Sequence, residues 1–229
     1  MLQNKLFQVL LTLNFSIMIG NFKSVLVLAP HTDDGELGAG GTICKLIESG
    51  VEVYYAAFST AEESVPSGFP KDVLKTEVKT ATAQLGIKNS NLFIYNYAVR
   101  KLNYARQEIL EELVKLKNLI DFDLVLLPSL NDIHQDHATI AQEGLRAFKN
   151  TTVFGYELIW NNVTFNTQCF VILEERHILQ KINALKAYKS QSHRDYTSDR
   201  FIKSLAITRG VQIGAEFAES FEVIRQVFK

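Results

Sequence analysis

From residue 24 onward the chain alternates short apolar runs with longer stretches in which apolar positions recur every three or four residues. Ser24–Ala29 is a continuous run of small and branched apolar residues, the pattern of a strand buried on both faces. The glycine-rich segment Gly35-Glu36-Leu37-Gly38-Ala39-Gly40-Gly41 leads into a helix that ends near Ser49, where Gly50 is placed to cap it. Val51–Phe58 predicts a second strand. A polar loop with two prolines fills 59–70, and a helix from Lys71 to Leu85 closes at Gly86. Asn91–Tyr95 predicts a third strand, and Leu102–Ile120 a helix that buries Ile109, Leu113, Leu116 and Ile120 along one face. Asp123–Leu127 predicts the fourth strand, followed by a helix over Asp136–Phe148 and a strand over Thr151–Tyr156.

Beyond Tyr156 the pattern changes. Gln168–Leu173 reads as a strand and Glu174–Tyr188 as a helix carrying Ile178, Ile182 and Leu185. A polar stretch from Ser190 to Asp199 precedes a final helical region around Phe201–Leu205 and Ala215–Phe228. Strands alternating with helices of this length imply βαβ units with right-handed crossovers. The expected fold class is therefore α/β, a three-layer sandwich with a mostly parallel sheet, capped by the carboxyl-terminal third. Residues 23–229 read as one domain. Residues 1–22 contain an apolar stretch, Val9–Ile19, broken by Thr12, Asn14 and Ser16. That stretch is too short and too polar to span a bilayer, so it reads as a helical amino-terminal extension packed on the domain or on a neighbouring subunit.

Composition narrows the function classes. With 47% hydrophobic and 21% charged residues the chain has the makeup of an ordinary folded domain, and a net charge of −1 without any basic run excludes nucleic acid as the main partner. The two cysteines, Cys44 and Cys169, lie in differently patterned segments, which argues against a disulfide framework and against a thiolate metal site. This fits a cytoplasmic protein with no stable membrane insertion. His177 and His193 are expected to face solvent, and Glu62-Glu63 to be a solvated loop pair.

The chemistry concentrates in two clusters. His31-Thr32-Asp33-Asp34 follows the first strand, and His134-Gln135-Asp136-His137 follows the fourth. In an open α/β sheet, ligands bind beyond the carboxyl ends of the strands, so both clusters fall on one rim despite their separation in sequence. Imidazoles and a carboxylate from the two can bind a transition metal while leaving positions open for water and substrate. Adjacent carboxylates cannot easily point the same way, so Asp33 and Asp34 should divide the work, one on the metal and the other beside it or facing a bound water. His134 and His137, three apart at a loop-to-helix junction, can face one cleft, one as ligand and one free for proton transfer, while Asp136 can fix a histidine tautomer. Taken separately, the first cluster also suits turn and helix-capping chemistry, and the second suits hydrogen-bonded surface histidines. A dinucleotide site is disfavoured, because Gly35, Gly38, Gly40 and Gly41 do not follow the G-x-G-x-x-G spacing and two carboxylates would repel a pyrophosphate.

These segments resemble the paired motifs of the PIG-L/LmbE-like zinc N-deacetylases. The resemblance runs from Pro30-His31-Thr32-Asp33-Asp34-Gly35-Glu36-Leu37-Gly38 through Gly40-Gly41-Thr42-Ile43 and His134-Gln135-Asp136-His137. It continues into Tyr188-Lys189-Ser190-Gln191 and the tail Ala218-Glu219-Ser220-Phe221-Glu222-Val223-Ile224-Arg225. It implies a Rossmann-like fold and removal of an N-acetyl group from a glucosamine-containing substrate, free or as a conjugate, with zinc as cofactor and iron(II) as the alternative. By the same resemblance His31, Asp34 and His137 are the metal ligands, and Asp33 is the general base for a metal-bound water. His134 stabilises the oxyanion or protonates the leaving amine, and Asp136 orients it. A homo-oligomer is compatible with the family. Thr32 stands where relatives carry proline. No arginine precedes Arg100, where many relatives place a substrate-binding one, so either Arg100 or Arg106 substitutes or the substrate lacks the group that arginine holds. Trp160, near Tyr156-Glu157, offers an aromatic face to a sugar ring, and Tyr188 is a further candidate for substrate binding. Two other readings keep parts of this chemistry: a metal-dependent phosphoesterase, which usually needs additional bridging carboxylates, and a non-catalytic metal- or sugar-binding protein, which would have no use for Asp33 and His134.

Overall fold

The computed structural model describes residues 22–228. The expected extension over residues 1–22 lies, apart from Phe22, outside the described residues. Phe22 packs against the core.

The first strand, β1 (Ser24–His31), is fully buried from Val25 to Ala29, as its unbroken apolar run requires. Val25, Val27 and Ala29 point to one side of the sheet, Leu26 and Leu28 to the other. The chain continues through α1 (Asp34–Glu48), β2 (Glu52–Ser59), α2 (Val73–Gln84), β3 (Leu92–Ile94), α3 (Arg106–Leu119), β4 (Leu124–Pro128), α4 (Gln135–Ala147) and β5 (Thr152–Tyr156). It ends with β6 (Cys169–Leu173), α5 (Glu175–Leu185), α6 (Asp199–Val211) and β7 (Phe217–Arg225). The sheet order is β3-β2-β1-β4-β5-β7-β6, parallel through β5 and antiparallel for β7 and β6. Helices α1, α2, α5 and α6 bury their apolar stripes with Val25, Val27 and Ala29, whereas α3 and α4 pack with Leu26 and Leu28. This is a doubly wound α/β sandwich whose winding reverses between β1 and β4. Among the described residues no helix is long and apolar enough to cross a membrane.

The expected elements appear with small shifts. The helix anticipated from Leu102 begins at Arg106, because Leu102–Ala105 forms a 3-10 turn. The carboxyl-terminal third differs more. The helix expected over Ala215–Phe228 is strand β7, which inserts between β5 and β6, so this part of the chain widens the sheet while α5 and α6 cover one face. Its sequence mixes Ala and Glu among aromatic residues, which suits either state, and burial decides between them. Phe217 and Phe221 enter one core and Ile224 the other, with buried carboxylates at Glu219 and Glu222. His177, expected at the surface, is fully buried. Its Nδ1 accepts from the Glu174 backbone N–H at 2.9 Å and its Nε2 lies 2.9 Å from Glu48, so it caps α5 and ties it to the end of α1.

Helix α1 lies close enough to its neighbours that a Cβ on Gly40 would sit 2.8 Å from the Lys181 side chain. Lys181 and Glu219 form a buried ion pair at 2.6 Å and reach into this helix. Lys181 Nζ donates to the Leu37 carbonyl at 2.7 Å, and Glu219 accepts the N–H groups of Gly41 and Thr42 at 3.0 and 2.7 Å. Leu37 O and Gly41 N lie one turn apart within α1, so the ion pair is bonded to the helix backbone as well as to itself. Replacing Glu219 by alanine leaves the buried Lys181 ammonium without its counter-charge. The expected outcome is a destabilisation of about 3–5 kcal/mol, read as a lower urea midpoint with an unchanged slope.

Candidate metal centre

The two clusters meet where the winding reverses. Strand β1 ends at His31, and the chain turns through Thr32 and Asp33 into α1. Strand β4 ends at Pro128, and a short loop leads to His134, the N-cap of α4. The first turn is tied down from below. The Thr32 carbonyl accepts the hydroxyls of Tyr188 at 2.6 Å and Tyr55 at 3.0 Å, and both tyrosines also hold the buried Glu36 carboxyl. Gly35 is required at this corner, because a Cβ there would lie 2.5 Å from the Tyr55 ring. Burial pushes Glu36 up to about 8, against the pull of the two tyrosine hydroxyls, so at neutral pH it is largely uncharged.

Three donor atoms converge above this turn. Asp34 Oδ2 lies 3.0 Å from His31 Nδ1 and 3.3 Å from His137 Nε2, and the two nitrogens are 3.2 Å apart. Donors that each sit about 2.0–2.1 Å from one zinc ion at a tetrahedral angle are separated by roughly 3.3 Å. The far nitrogens are committed as well. His31 Nε2 meets Asp136 Oδ2 at 3.0 Å, and His137 Nδ1 meets Asp132 Oδ2 at 2.7 Å. An imidazole with one nitrogen on a buried carboxylate and the other facing a shared point is the usual form of a metal-binding histidine. The donor set therefore fits a divalent transition ion. His134 extends it: nitrogens of His31, His134 and His137 all lie within 4.8 Å of one another, a group able to hold a metal.

The electrostatics agree. Burial disfavours charge on His31 and His137, yet the Asp34 carboxylate overrides it and raises His31 to about 9 and His137 to about 10. Asp34 is itself held far below the carboxylate range, since His137 and His31 outweigh its burial. The pocket favours positive charge at this point. Asp33 behaves differently. Burial first, and the Asp34 charge second, push it up to about 6. Its side chain makes no cap bond to its own helix and lines the cleft. His134 is lowered by burial and by its two histidine neighbours, which favour its neutral form. Its Nδ1 accepts the Asp136 backbone N–H at 3.2 Å, which leaves the proton on Nε2.

The structure thus brings Asp33, Asp34, His31, His134 and His137 together around one cleft, which Trp160 also lines. It redistributes other expected roles. The Asp136 carboxylate orients His31 instead of His134, and its oxygens also accept the backbone N–H groups of Arg100 at 2.6 Å and Leu102 at 3.2 Å. Arg100 has a φ of 65°, and its guanidinium points to Glu63 at the surface, away from the cleft. Arg106 is engaged by Glu143. Tyr188 is 1% exposed and supports the metal turn from behind, out of reach of a substrate. Two residues escaped the sequence reading. Asp132 had a faint signal, an acid two residues before His134 in a strand-to-helix loop. Arg194, which lines the cleft, sits in a polar stretch without periodicity and had none.

Comparison with known proteins follows the same lines. Residues 26–148 match the model of the PIG-L family, described as GlcNAc-PI de-N-acetylase. The chain is 24% identical to diacetylchitobiose deacetylase of Thermococcus kodakarensis over 90% of this chain and 85% of that one. Its fold matches N,N'-diacetylchitobiose deacetylase of Pyrococcus horikoshii with a TM-score of 0.75 at 22% identity, covering 89% of this chain and 84% of the other. It also matches the 4-carboxy-2-hydroxymuconate hydratase of Pseudomonas putida KT2440, with a TM-score of 0.71 at 18% identity over 90% and 98% of the two chains. One architecture therefore hosts more than one reaction.

Asp132 offers a test of the centre that needs no substrate. Asp132→Asn removes the charge behind His137 with little change in size, and metal affinity should fall by roughly 10- to 100-fold, measured by competition with a chelating indicator.

Proposed function

The chain belongs to the PIG-L family, and we propose that it is a metal-dependent hydrolase that removes the acetyl group from an N-acetylated amino sugar or its conjugate. The observation that carries this reading is the placement of Asp33 and His134 beside a donor set of His31, Asp34 and His137. Those three residues would hold the ion, zinc or iron(II). When bound, a divalent ion polarises an amide carbonyl and lowers the pKa of water, which an acetamide needs at neutral pH.

The remaining work falls to the chain's own groups. Asp33, raised toward neutrality, takes the proton of the attacking water. His134 presents an Nε2–H to the carbonyl oxygen as it gains negative charge, a contribution typically worth about 3–4 kcal/mol. As the C–N bond breaks, the amine nitrogen receives the proton that Asp33 has just acquired, while the His134 Nε2–H stays with the carbonyl oxygen. Acetate and the free amine leave, and Asp33 returns to its carboxylate form. Trp160, stacked on Tyr196, lines the cleft and supplies an aromatic surface against which a sugar ring could lie.

The fold by itself does not choose between amide hydrolysis and the hydration chemistry of its neighbour. Acetate release does. Metal-reconstituted protein should release acetate stoichiometrically from N-acetyl sugars and do so only with added zinc or iron(II). Failure across free, glycosidic and conjugated N-acetylglucosamine would sink the proposal. His137→Ala should abolish metal retention and turnover together. Asp33→Asn should keep the metal and lose roughly 10²- to 10⁴-fold in turnover, and a metal-loaded variant with undiminished activity would remove Asp33 from its role.

A further inference from the structure

One wall of the cleft is built by Gln191, Arg194 and Tyr196, and the arginine in it is held by uncharged partners. Arg194 Nε donates to Gln191 Oε1 at 2.8 Å. Gln191 is buried and donates to Ser190 Oγ at 3.2 Å, and Ser190 donates through Oγ and N to the buried Glu77 at 2.6 and 3.0 Å. The backbone around Arg194 is pinned too: its N–H donates to Gln191 O at 3.0 Å, and its carbonyl accepts the Thr197 hydroxyl at 2.8 Å. The guanidinium carbon lies 5.7 Å from the Tyr196 ring centroid, and Tyr196 stacks on Trp160 at 4.1 Å and 10°. Among the described residues Arg194 forms no ion pair with a carboxylate, whereas Arg106 and Arg209 each grip a buried glutamate. Arg194 lines the same cleft as Asp33, His134 and Trp160.

A part-buried guanidinium is costly to hold without an anion, and its planar fork is shaped to receive a carboxylate or a phosphate. The chain from Glu77 through Ser190 and Gln191 fixes the fork in advance, so little side-chain freedom is lost when a ligand arrives. We propose that Arg194 selects amino-sugar substrates that carry an anionic group, a carboxylate or a phosphate, which it binds while the sugar lies against Trp160. This refines the deacetylase reading and rests on it for the identity of the sugar.

Trp160 is the sole tryptophan of the chain, so its fluorescence reports binding in the cleft without any turnover. Metal-loaded protein is titrated with N-acetylglucosamine and its methyl glycoside, and with N-acetylglucosamine 1-phosphate, the 6-phosphate and a carboxymethyl glycoside. Calorimetry serves as the second readout. At least one anionic sugar should bind roughly 10- to 100-fold tighter than the neutral ones, with the preference shrinking as salt rises. The phosphate and carboxylate arms show which anion is received. Arg194→Gln should collapse the preference, and Arg194→Lys, which keeps the charge but loses the fork, should retain only part of it. Equal affinities for all sugars in the unaltered protein would overturn the proposal. So would an Arg194→Gln variant that weakens neutral and anionic sugars in the same proportion, since that is the signature of a wall support. Arginine-dependent binding of an anionic sugar with no acetate release from any substrate would support Arg194 recognition while refuting the deacetylase reading.

Discussion

Everything at the centre depends on β1 and β4 being adjacent parallel strands whose following helices leave for opposite faces of the sheet. That divergence opens a crevice at the carboxyl ends, and only there can two loops bring donors together without colliding. His31 arrives from one loop, His137 from the helix after the other, and Asp34 bridges them from the first residue of α1. The charges are tolerable in a low-exposure site because each is paired. Asp132 and Asp136 back the imidazoles, and Asp34 sits between them. Removing any one leaves the others with an uncompensated charge, so the group behaves as a unit.

A second layer determines how rigid that unit is. The Thr32 carbonyl, Tyr55, Tyr188 and Glu36 form one buried network beneath the turn. A neutral Glu36 suits it, since an additional carboxylate next to Asp33 and Asp34 would add repulsion where two negative charges are already close. Helix α1 is fixed at both ends of its buried half, by this network at the start and by the Lys181–Glu219 pair farther along. Asp34 is thus mounted on a helix that has little freedom to shift.

Much of this was legible in the residues. The alternation of unbroken apolar runs with helical periodicity fixes the parallel half of the sheet, because strands buried on both faces leave no other pattern. The two acid–histidine clusters stand at strand ends for the same reason. What stayed hidden is what long-range pairing decides. β7 reads as a helix because Glu219 and Glu222 look like solvent-facing residues until their partners, Lys181 for one and Ser129 with Asn131 for the other, are in place. His177 looks exposed until Glu48 is beside it. Arg194 carries no local signature, since its meaning comes from a cleft assembled by distant segments. The resemblance pairs Asp136 with His134, and its residues alone leave the histidine open, whereas the sheet brings its carboxylate to His31, 105 residues away.

The same distance has a bearing on how the molecule is put together. His31 and His137 are 106 residues apart, and no local segment carries a complete set of donors. An ion held by His31, Asp34 and His137, as proposed, could therefore be gripped by all three only after β1 and β4 have found each other, a non-local pairing that comes with the whole sheet. Binding that discriminates so fully between ordered and unordered chain is a thermodynamic clasp: at a free ion concentration a thousandfold above its dissociation constant it would add about 4 kcal/mol to the folded state. The centre that reads as chemistry in the finished protein is, for the chain that has yet to fold, a reward withheld until the topology is right.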